Sequence, residues 1–218
     1  MNCLLVAATT IEIAPFLEHY RNSEKNMHID FHLETLITGI GLTSTAYSLT
    51  RHILNHKPDL VIQAGVGGCF DKSIPLGKVL AIKQETIADQ SVIELNSLKT
   101  LFALNLVPKN QHPYKNGWLP NPDKNLIRRS KLKAVKGISV NEITTDKKKI
   151  AFYRDEFNPV VESMEGAALH YICLMEQVSF LQIRSVSNYI GERNKKKWNM
   201  HESIANLNKE LIRLFENL

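Results

Sequence analysis

The feature that most constrains the fold of this chain is a series of short runs of strand length, each followed by small or polar residues. The run at residues 2–8 (NCLLVAA) is apolar without alternation, which is typical of a strand that is covered on both faces. Residues 59–64 predict a second buried strand, and helical patterns lie between the runs. The alternation predicts an α/β fold: a three-layer α/β/α sandwich around a mixed, largely parallel sheet.

The length of the chain fits one domain, because 218 residues of which 44% are hydrophobic can bury one core. We therefore predict a single domain over residues 1–218. The periodicity that predicts secondary structure is weak at 96–129, where we predict a short helix near 98–104 followed by a proline-containing loop. Elsewhere the periodicity predicts strands at 2–8, 29–38, 59–64, 77–88, 133–143, 160–161 and 180–187, and helices at 11–20, 43–56, 146–157, after 165, and at 199–217.

The segments that follow the predicted strands carry the residues with useful chemistry. If the strands are parallel, their carboxyl ends meet at one edge of the sheet, which is where open α/β sheets bind ligands. Glycines recur there in GIG at 39–41 and GVGG at 65–68. The second group indicates either a close backbone approach or a tight turn. The converging segments are 9–12, 39–41, 65–68, 139–145, 163–165 and 187–188.

Glu165 lies where the run PVVESMEGAALHY at 159–171 changes from strand to helix. A helix N-terminus stabilises an anion, and the paired oxygens of a carboxylate suit a vicinal diol such as that of ribose. The alternative interpretation is that Glu165 is an ordinary residue of the first helical turn. The residue alone does not decide between the two.

Charge and hydrophobicity exclude several classes of partner. The net charge of +5 comes from basic groups at 128–136, 147–149 and 195–197, without the interleaved aromatics of a face that binds single-stranded nucleic acid. We interpret these groups as solvated surface or as an attraction for an anionic small substrate. The sequence contains no apolar run of the roughly 18 residues that a membrane span needs. We expect neither a nucleic-acid nor a membrane partner.

Cofactor and metal motifs are also missing from the sequence. The GIG segment lacks the acidic residue of a dinucleotide fingerprint and is not a P-loop, so we expect no cofactor. The eight histidines, including His28 and His32, lack partner ligands and predict no metal site. The apolar start does not resemble a signal peptide. The cysteines (Cys3, Cys69 and Cys173) lie in apolar segments, which predicts reduced core residues in a cytoplasmic protein.

Taken together, these motifs resemble the nucleoside phosphorylase/hydrolase superfamily in order and spacing. They are most similar to the 5′-methylthioadenosine/S-adenosylhomocysteine nucleosidases. Within that group, SMEGAA at 163–168 followed by RSVSNYIGERNKKKW at 184–198 resembles the futalosine hydrolases of menaquinone biosynthesis. The resemblance implies a cytoplasmic, homodimeric N-ribosyl hydrolase that needs no cofactor. Its substrates would be futalosine and water, and its products hypoxanthine and dehypoxanthine futalosine.

The resemblance also implies roles for individual residues. Glu12 matches the glutamate that holds and activates the attacking water, and Arg184 matches an arginine that supports the water site. Glu165 matches the glutamate that binds the ribose 2′- and 3′-hydroxyls, with Met164 beneath the sugar. The other substrate-binding residues implied in this way are Ile40, Gly65, Val66, Gly67, Ile143, Thr144, Ser163, Ser187 and Trp198.

At Asn188 the chain departs from the adenine-specific nucleosidases, which have an aspartate there that protonates the purine. An asparagine is not an acid, but its amide can donate to O6 or N7 of a 6-oxopurine and accept from a ring N–H. Asn188 therefore favours hypoxanthine over adenine, or it is only a loop-capping residue. Trp198 predicts either a stacking surface for the 5′ substituent, with Arg193 or Lys195–Lys197 near its carboxylate, or a helix-packing residue.

Three alternatives remain open from the sequence. The first is an enzyme of the same fold that cleaves methylthioadenosine, S-adenosylhomocysteine or aminofutalosine, against which Asn188 counts. The second is a phosphorolytic purine nucleoside phosphorylase, for which Val66 is a poor phosphate ligand. The third is a nucleoside-binding protein without catalysis, which would have no use for a water-activating carboxylate at Glu12.

Overall fold

The structure is a computed structural model that describes residues 1–23, 32–95 and 97–217. Strands and helices alternate over most of its length. The strands are β1 Asn2–Ala7, β2 His32–Ile37, β3 Leu60–Cys69, β4 Val79–Glu85, β5 Ser91–Glu94, β6 Ser97–Thr100, β7 Leu119–Pro120, β8 Lys133–Ser139, β9 Val161–Ser163 and β10 Ser179–Tyr189. The helices are α1 Thr10–Ser23, α2 Leu42–His56, α3 Lys124–Arg129, α4 Lys147–Phe157, α5 Gly166–Met175 and α6 Met200–Phe215.

Eight strands form one sheet in the order β10-β4-β8-β9-β3-β1-β2, with β7 beside β4. Strand β10 also pairs with β3, so β3, β10, β4, β8 and β9 close into a ring from which β1 and β2 extend. The pairs β1–β2, β1–β3, β3–β10, β4–β8 and β8–β9 are parallel, whereas β4–β10, β3–β9 and β4–β7 are antiparallel. The predicted mixed, largely parallel sheet is confirmed.

Helices cover both faces of the sheet, as the alternating burial of β1 shows. Leu5 belongs to the core that α1 and α6 cover, whereas Leu4 belongs to the core beneath α2 and α5. Both side chains are fully buried, and burial of a leucine side chain stabilises a fold by about 1.5–3 kcal/mol. The uninterrupted apolar run of β1 follows from this arrangement, and the predicted three layers are confirmed.

Most predicted elements are present, but the region 96–129 differs from the prediction. The predicted helix at 98–104 is wrong, because Ser97–Thr100 forms β6 and pairs with Ser91–Glu94 in a two-stranded hairpin. Cross-strand pairing outweighs local helix propensity there. The predicted loop also contains β7 and α3, and Asp123 caps α3 by accepting from the Leu126 amide at 2.8 Å. The first three residues of the predicted strand 29–38 lie outside the described residues.

Strands β3 and β10 are longer than predicted, because they pair from Leu60 and Ser179 up to Cys69 and Tyr189. The glycines of GVGG therefore lie within β3, and the tight-turn interpretation is wrong. A Cβ atom at Gly67 would lie 2.9 Å from the Glu162 carbonyl oxygen, so the glycine permits a close backbone approach. Asn188 likewise lies in β10 and not in the predicted loop.

Two further expectations concern the cysteines and the membrane. Cys3, Cys69 and Cys173 are buried free thiols, and burial raises the pKa of each. Across 1–23, 32–95 and 97–217, no helix combines the length and the apolar character that crossing a membrane would require.

Candidate active site

A cleft of about 370 Å³ lies where β1, β3, β9 and β10 end. Each of the six segments that were expected to converge contributes to it, and its surface is apolar apart from a few carboxylate, hydroxyl and amide groups. Such a surface is typical of a small-molecule site. Its lining residues are Ala8, Thr9, Ile11, Glu12, Ile40, Val66, Gly67, Gly68, Ile143, Glu162, Ser163, Met164, Glu165, Ser187, Asn188, Trp198, Met200 and Ile204.

Glu12 enters the cleft from the first turn of α1. Its Oε2 accepts hydrogen bonds from the amide and hydroxyl of Thr9, at 3.0 and 3.1 Å, which is half of a capping box. Its Oε1 accepts from the amide of Val66 at 3.1 Å. The side chain is therefore held between a helix N-terminus and β3, and Oε1, which accepts one of these bonds, keeps a lone-pair direction free for a ligand.

The backbone of α1 is supported at Glu12 by a side chain from α6. The Asn208 amide group donates to the Glu12 carbonyl at 2.9 Å and accepts from the Phe16 amide at 2.9 Å. Pro15 lies in this turn and removes one helical donor. Asn208 is 2% exposed, so this polar bridge is buried between the two helices and fixes the position of Glu12.

Glu165 and Arg184 form a buried ion pair beside Glu12. The Glu165 Oε2 and Arg184 Nη1 atoms are 3.3 Å apart, and Glu165 Oε1 accepts from the Gly41 amide at 3.1 Å. Glu165 occupies the N-cap position of α5 but makes no side-chain capping bond. Its carboxylate is thus directed toward the cleft and away from its own helix.

Arg184 is buried beside the carboxylate of Glu165 and does not line the cleft. It is 1% exposed, and its Nη2 donates to Gln63 Oε1 at 2.9 Å. A Cβ atom at Gly65 would lie only 2.4 Å from Arg184 Nη1, so glycine is needed for the guanidinium to fit. Gly65 and Thr144 are also buried, and neither is among the residues that line the cleft.

Ser163 belongs to a buried polar network that holds the start of α5. The Ser163 and Ser139 hydroxyl oxygens are 3.3 Å apart, and Ser163 Oγ accepts from the Gly166 amide. Ser139 Oγ in turn donates to Glu85 Oε2 at 3.3 Å, and Gln182 donates to Glu85 Oε1 at 3.0 Å. Burial raises the pKa of Glu85 to about 7.

Asn188 lies at the cleft with its side chain bonded locally. Its Oδ1 accepts from the Ser187 hydroxyl at 2.9 Å, and its Nδ2 donates to the Tyr189 carbonyl at 3.3 Å. Ser187 Oγ is also 3.2 Å from the Gly67 carbonyl oxygen. The amide is half-buried, and its second N–H is available to a ligand.

Glu162 lines the cleft but was not singled out from the sequence, where it reads only as the polar residue before Ser163. It is 6% exposed, and its buried Oε2 has no hydrogen-bond partner within the described part of the chain. The pKa of Glu162 is raised to about 7, first by burial and then by Asp89, while Lys149 acts to lower it. The signal in the sequence was a carboxylate directly after the β-branched pair Val160–Val161.

The outer part of the cleft is formed by apolar side chains, including Ile40, Ile143, Met164 and Trp198. The Trp198 indole is fixed, because its Nε1 donates to the Glu192 carbonyl at 3.0 Å. The Arg193 guanidinium lies 5.6 Å from the centre of the Trp198 ring. An aromatic surface and a cation are therefore adjacent at this end.

One group of side chains could hold a metal ion, and it lies outside the cleft lining. The donor atoms of Glu34, His52 and His56 lie within 4.8 Å of one another. His52 and His56 are four residues apart on α2, which places both side chains on one face of the helix. Of the two histidines that were singled out from the sequence, His28 lies outside the described residues, and His32 Nε2 is 3.6 Å from Glu34 Oε1.

The chain is similar to known proteins in sequence and in fold. The family described as the phosphorylase superfamily matches residues 5–217. The futalosine hydrolase of Thermus thermophilus is 26% identical over 182 residues, which cover 82% of this chain and 79% of that protein. The 5′-methylthioadenosine/S-adenosylhomocysteine nucleosidase of Bacillus thuringiensis is 27% identical over 164 residues, or 73% of this chain and 69% of that protein.

Solved structures of a nucleosidase and of a futalosine hydrolase share the fold of this chain. The Helicobacter pylori 5′-methylthioadenosine/S-adenosylhomocysteine nucleosidase with butyl-thio-DADMe-Immucillin-A has a TM-score of 0.80 at 19% identity, covering 100% of this chain and 99% of that chain. The native futalosine hydrolase of Helicobacter pylori has a TM-score of 0.79 at 19% identity, covering 100% of this chain and 98% of that chain.

Proposed function

This chain belongs to the phosphorylase superfamily, and from that membership we propose that it is a purine nucleosidase that hydrolyses futalosine and releases hypoxanthine. The observation that carries the proposal is the meeting of Glu12, Glu165 and Asn188 in one cleft. Two carboxylates beside the sugar position and a neutral amide at the base position suit hydrolysis of a 6-oxopurine riboside.

Glu165 is proposed to bind the ribose diol. Each of its oxygens has one protein partner, the Gly41 amide or the Arg184 guanidinium, and can accept one more hydrogen bond. Cleavage of an N-glycosidic bond passes through a cationic, oxocarbenium-like sugar. A fixed carboxylate at the diol stabilises that positive charge in the transition state.

Glu12 is proposed to orient and deprotonate the attacking water. Thr9 and Val66 hold its two oxygens, so the carboxylate does not need to reorganise when water binds. The water adds to the anomeric carbon as the bond to the base breaks.

Asn188 is proposed to select the base. Its free N–H can donate to O6 of hypoxanthine, whereas the 6-amino group of adenine presents a donor at the same place. A buried donor that faces another donor leaves both groups unpaired, which is how polar sites reject close analogues.

The Trp198 end of the cleft is proposed to bind the 5′ substituent of futalosine. The aryl ring of that substituent can stack on the fixed indole, and its carboxylate can pair with Arg193 or Lys195–Lys197. Methylthioadenosine has no carboxylate at this position, so this end adds to the preference for futalosine.

The charge of the cleft favours water over phosphate as the second substrate. Among the described residues that line it there are three glutamates and no lysine, arginine or histidine. A phosphate dianion would face these carboxylates without a lining cation, which disfavours its binding. This observation counts against a phosphorolytic enzyme.

We also propose a cytoplasmic homodimer. The buried free thiols fit a reducing compartment. On α2, Tyr47 and Leu54 are 67% and 57% exposed and line one surface groove, which offers an apolar face to a second copy. Light scattering on the purified protein tests the assembly state, and a monomeric mass would contradict it.

The experiment that tests the function is incubation with futalosine, methylthioadenosine and inosine, with and without phosphate, followed by chromatography of the released base. We expect hypoxanthine from futalosine at a rate that does not depend on phosphate. Adenine from methylthioadenosine as the main product would move the assignment to the adenine-specific relatives. Phosphate-dependent release would indicate a phosphorylase, and no release from any substrate would indicate a nucleoside-binding protein.

A further inference from the structure

Because the side chain of Asn188 is a neutral amide, it does not supply the proton that the departing base of the proposed reaction needs. When the glycosidic bond breaks, its electron pair leaves with the purine, and the purine anion must gain a proton. An asparagine side chain is not a proton donor of useful acidity. The cleft therefore needs another acid within reach of the base.

The register of three neighbouring strands places Glu162 opposite Asn188. Glu162 of β9 pairs with Gly68 of β3, and Gly68 pairs with Asn188 of β10. Residues in register on adjacent strands project toward the same face, and two strand spacings amount to about 9–10 Å. A Cβ atom at Gly68 would lie 2.5 Å from Ile190 Cδ1 and 3.4 Å from Asn188 Nδ2, so the glycine makes room for these side chains, and Glu162 and Asn188 both line the cleft.

We propose that Glu162 is the acid that protonates the departing purine. The inference rests on the proposed nucleosidase function and adds a catalytic residue to it. As the bond between C1′ and N9 breaks, the electron pair moves to the base, and the carboxyl proton of Glu162 passes to a ring nitrogen. Water adds to C1′ and gives a proton to Glu12. One proton is gained and one is lost by the two carboxylates, and exchange with solvent restores both.

The surroundings of Glu162 suit this role. Its Oε2 is buried and unpartnered within 1–23, 32–95 and 97–217 although Glu162 lines the cleft. A buried polar atom without a partner is costly, and for a carboxylate oxygen the cost is smaller while the group keeps its proton. The pKa of about 7 means that burial keeps much of the carboxyl protonated near neutral pH, where an acid catalyst is most effective.

The titratable groups that face Glu162 come from three other segments. Asp89 follows β4 and raises the pKa of Glu162, whereas Lys149 of α4 lowers it. Lys149 also pairs with Glu142 at 2.9 Å, so its charge is partly compensated. Tyr153 of α4 remains neutral, since burial, Asp89 and Glu162 all raise its pKa.

The test compares two substrates that differ in their need for an acid. Futalosine needs protonation of its base, whereas a nitrophenyl β-D-riboside has a leaving group that departs as a stable anion. For Glu162→Gln we expect kcat on futalosine to fall by roughly 100-fold or more, with nitrophenyl riboside cleavage within about threefold of wild type. The retained activity would also show that the variant is folded.

The pH profiles give a second readout. In the wild type, kcat/KM for futalosine should decline above pH 7, while cleavage of the nitrophenyl riboside should not; this comparison needs no variant. The matched control is Glu85→Gln, the same change in the other carboxyl whose pKa is raised to about 7. Because Glu85 does not line the cleft, that variant should keep the alkaline decline, whereas Glu162→Gln should lose it.

Several outcomes would overturn the proposal. It fails if Glu162→Gln cleaves futalosine at the wild-type rate, if it slows both substrates equally, or if the wild-type alkaline decline is the same for both. Wild-type protein that releases no hypoxanthine from futalosine at any pH would instead overturn the proposed function. The two failures are therefore distinguishable.

Discussion

At the scale of single residues, the ion pair of Glu165 and Arg184 contributes to the stability of the fold and includes a residue that is proposed to bind substrate. The arginine is 1% exposed, and Glu165 is the carboxylate that pairs with it at 3.3 Å. Removal of one partner from a buried ion pair leaves an uncompensated charge, which is more damaging than the loss of the contact itself. The same glutamate is proposed to hold the diol.

Glu165→Gln should therefore lower both activity and stability. We expect kcat/KM on futalosine to fall by about 1,000-fold, since the removal of one preorganised group that stabilises transition-state charge costs roughly 3–4 kcal/mol. The free energy of unfolding should fall by about 3 kcal/mol because Arg184 stays buried without its anion. Steady-state kinetics and urea denaturation measure the two effects. The exposed Glu156→Gln serves as control, and unchanged kinetics for Glu165→Gln would contradict the assigned role.

Asn188 offers a residue-scale test of base selection. Asn188→Asp replaces the N–H donor by a carboxyl group that can accept from a 6-amino group and, when protonated, can supply a proton. The ratio of kcat/KM for methylthioadenosine to that for futalosine should rise at least tenfold, which corresponds to about 1.4 kcal/mol. Ser187→Ala, which removes the hydroxyl that holds Asn188 Oδ1, is the comparison variant. An unchanged ratio in Asn188→Asp would show that Asn188 does not contact the base.

At the scale of elements, the position of Glu12 depends on how α6 supports α1. The Asn208 amide group bonds to both the Glu12 carbonyl and the Phe16 amide. The two helices also share an apolar contact, in which the Phe16 and Phe215 ring centres are 4.9 Å apart. Glu12, the residue proposed to act on water, lies in the first turn of one helix and is thus positioned by the last helix, α6.

Asn208→Ala should loosen that support. Two buried backbone groups lose their partner, at about 1–1.5 kcal/mol each, so the free energy of unfolding should fall by roughly 2–3 kcal/mol. We expect kcat to fall about tenfold with a smaller change in KM, because the proposed role of Glu12 is to act on water and not to bind the substrate. The matched control is Asn206→Ala on the same helix, which loses a single bond to the Gly77 carbonyl. Equal kinetics for the two variants would contradict a positioning role.

At the scale of the whole molecule, buried ionisable groups link stability to pH. Burial raises the pKa of Glu85 from 4.5 to about 7. Between these values the folded protein keeps a proton that the unfolded chain loses, so the stability that Glu85 contributes decreases as the pH rises through this window. Burial lowers the pKa of His170 to about 4. At acidic pH the stability that His170 contributes therefore increases as the pH rises, which is opposite to the effect of Glu85.

Glu85→Gln isolates the carboxyl contribution, because the amide resembles the protonated acid and cannot ionise. The free energy of unfolding of the variant minus that of the wild type should increase with pH between about 4.5 and 7, by at most about 1.4 kcal/mol per pH unit, and stay constant above. The effect of His170 is present in both proteins and cancels. Urea denaturation across this range measures the difference, and a difference independent of pH would contradict the shifted pKa.

The sequence by itself determined the type and order of most elements and the segments that form the cleft. Apolar runs of strand length and the helical periodicity of α6 are local signals, and residues such as Glu12 and Glu165 stand at fixed offsets from them. Local signals failed where pairing between distant segments decides the structure. Ser97–Thr100 became a strand through its hairpin partner, and GVGG stayed extended because β3 pairs with β10 over its whole length.

Only the tertiary structure decided which polar residues face each other. Glu162 is far from Gly68 and Asn188 in the chain, and the three come together through strand register, which a sequence pattern does not encode. Within the described residues Glu162 Oε2 has no partner, and this and the raised pKa of Glu162 follow from burial by segments that are also distant in the chain. Chemistry that depends on residue type was therefore readable from the sequence, whereas chemistry that depends on desolvation and cross-strand geometry required the folded chain.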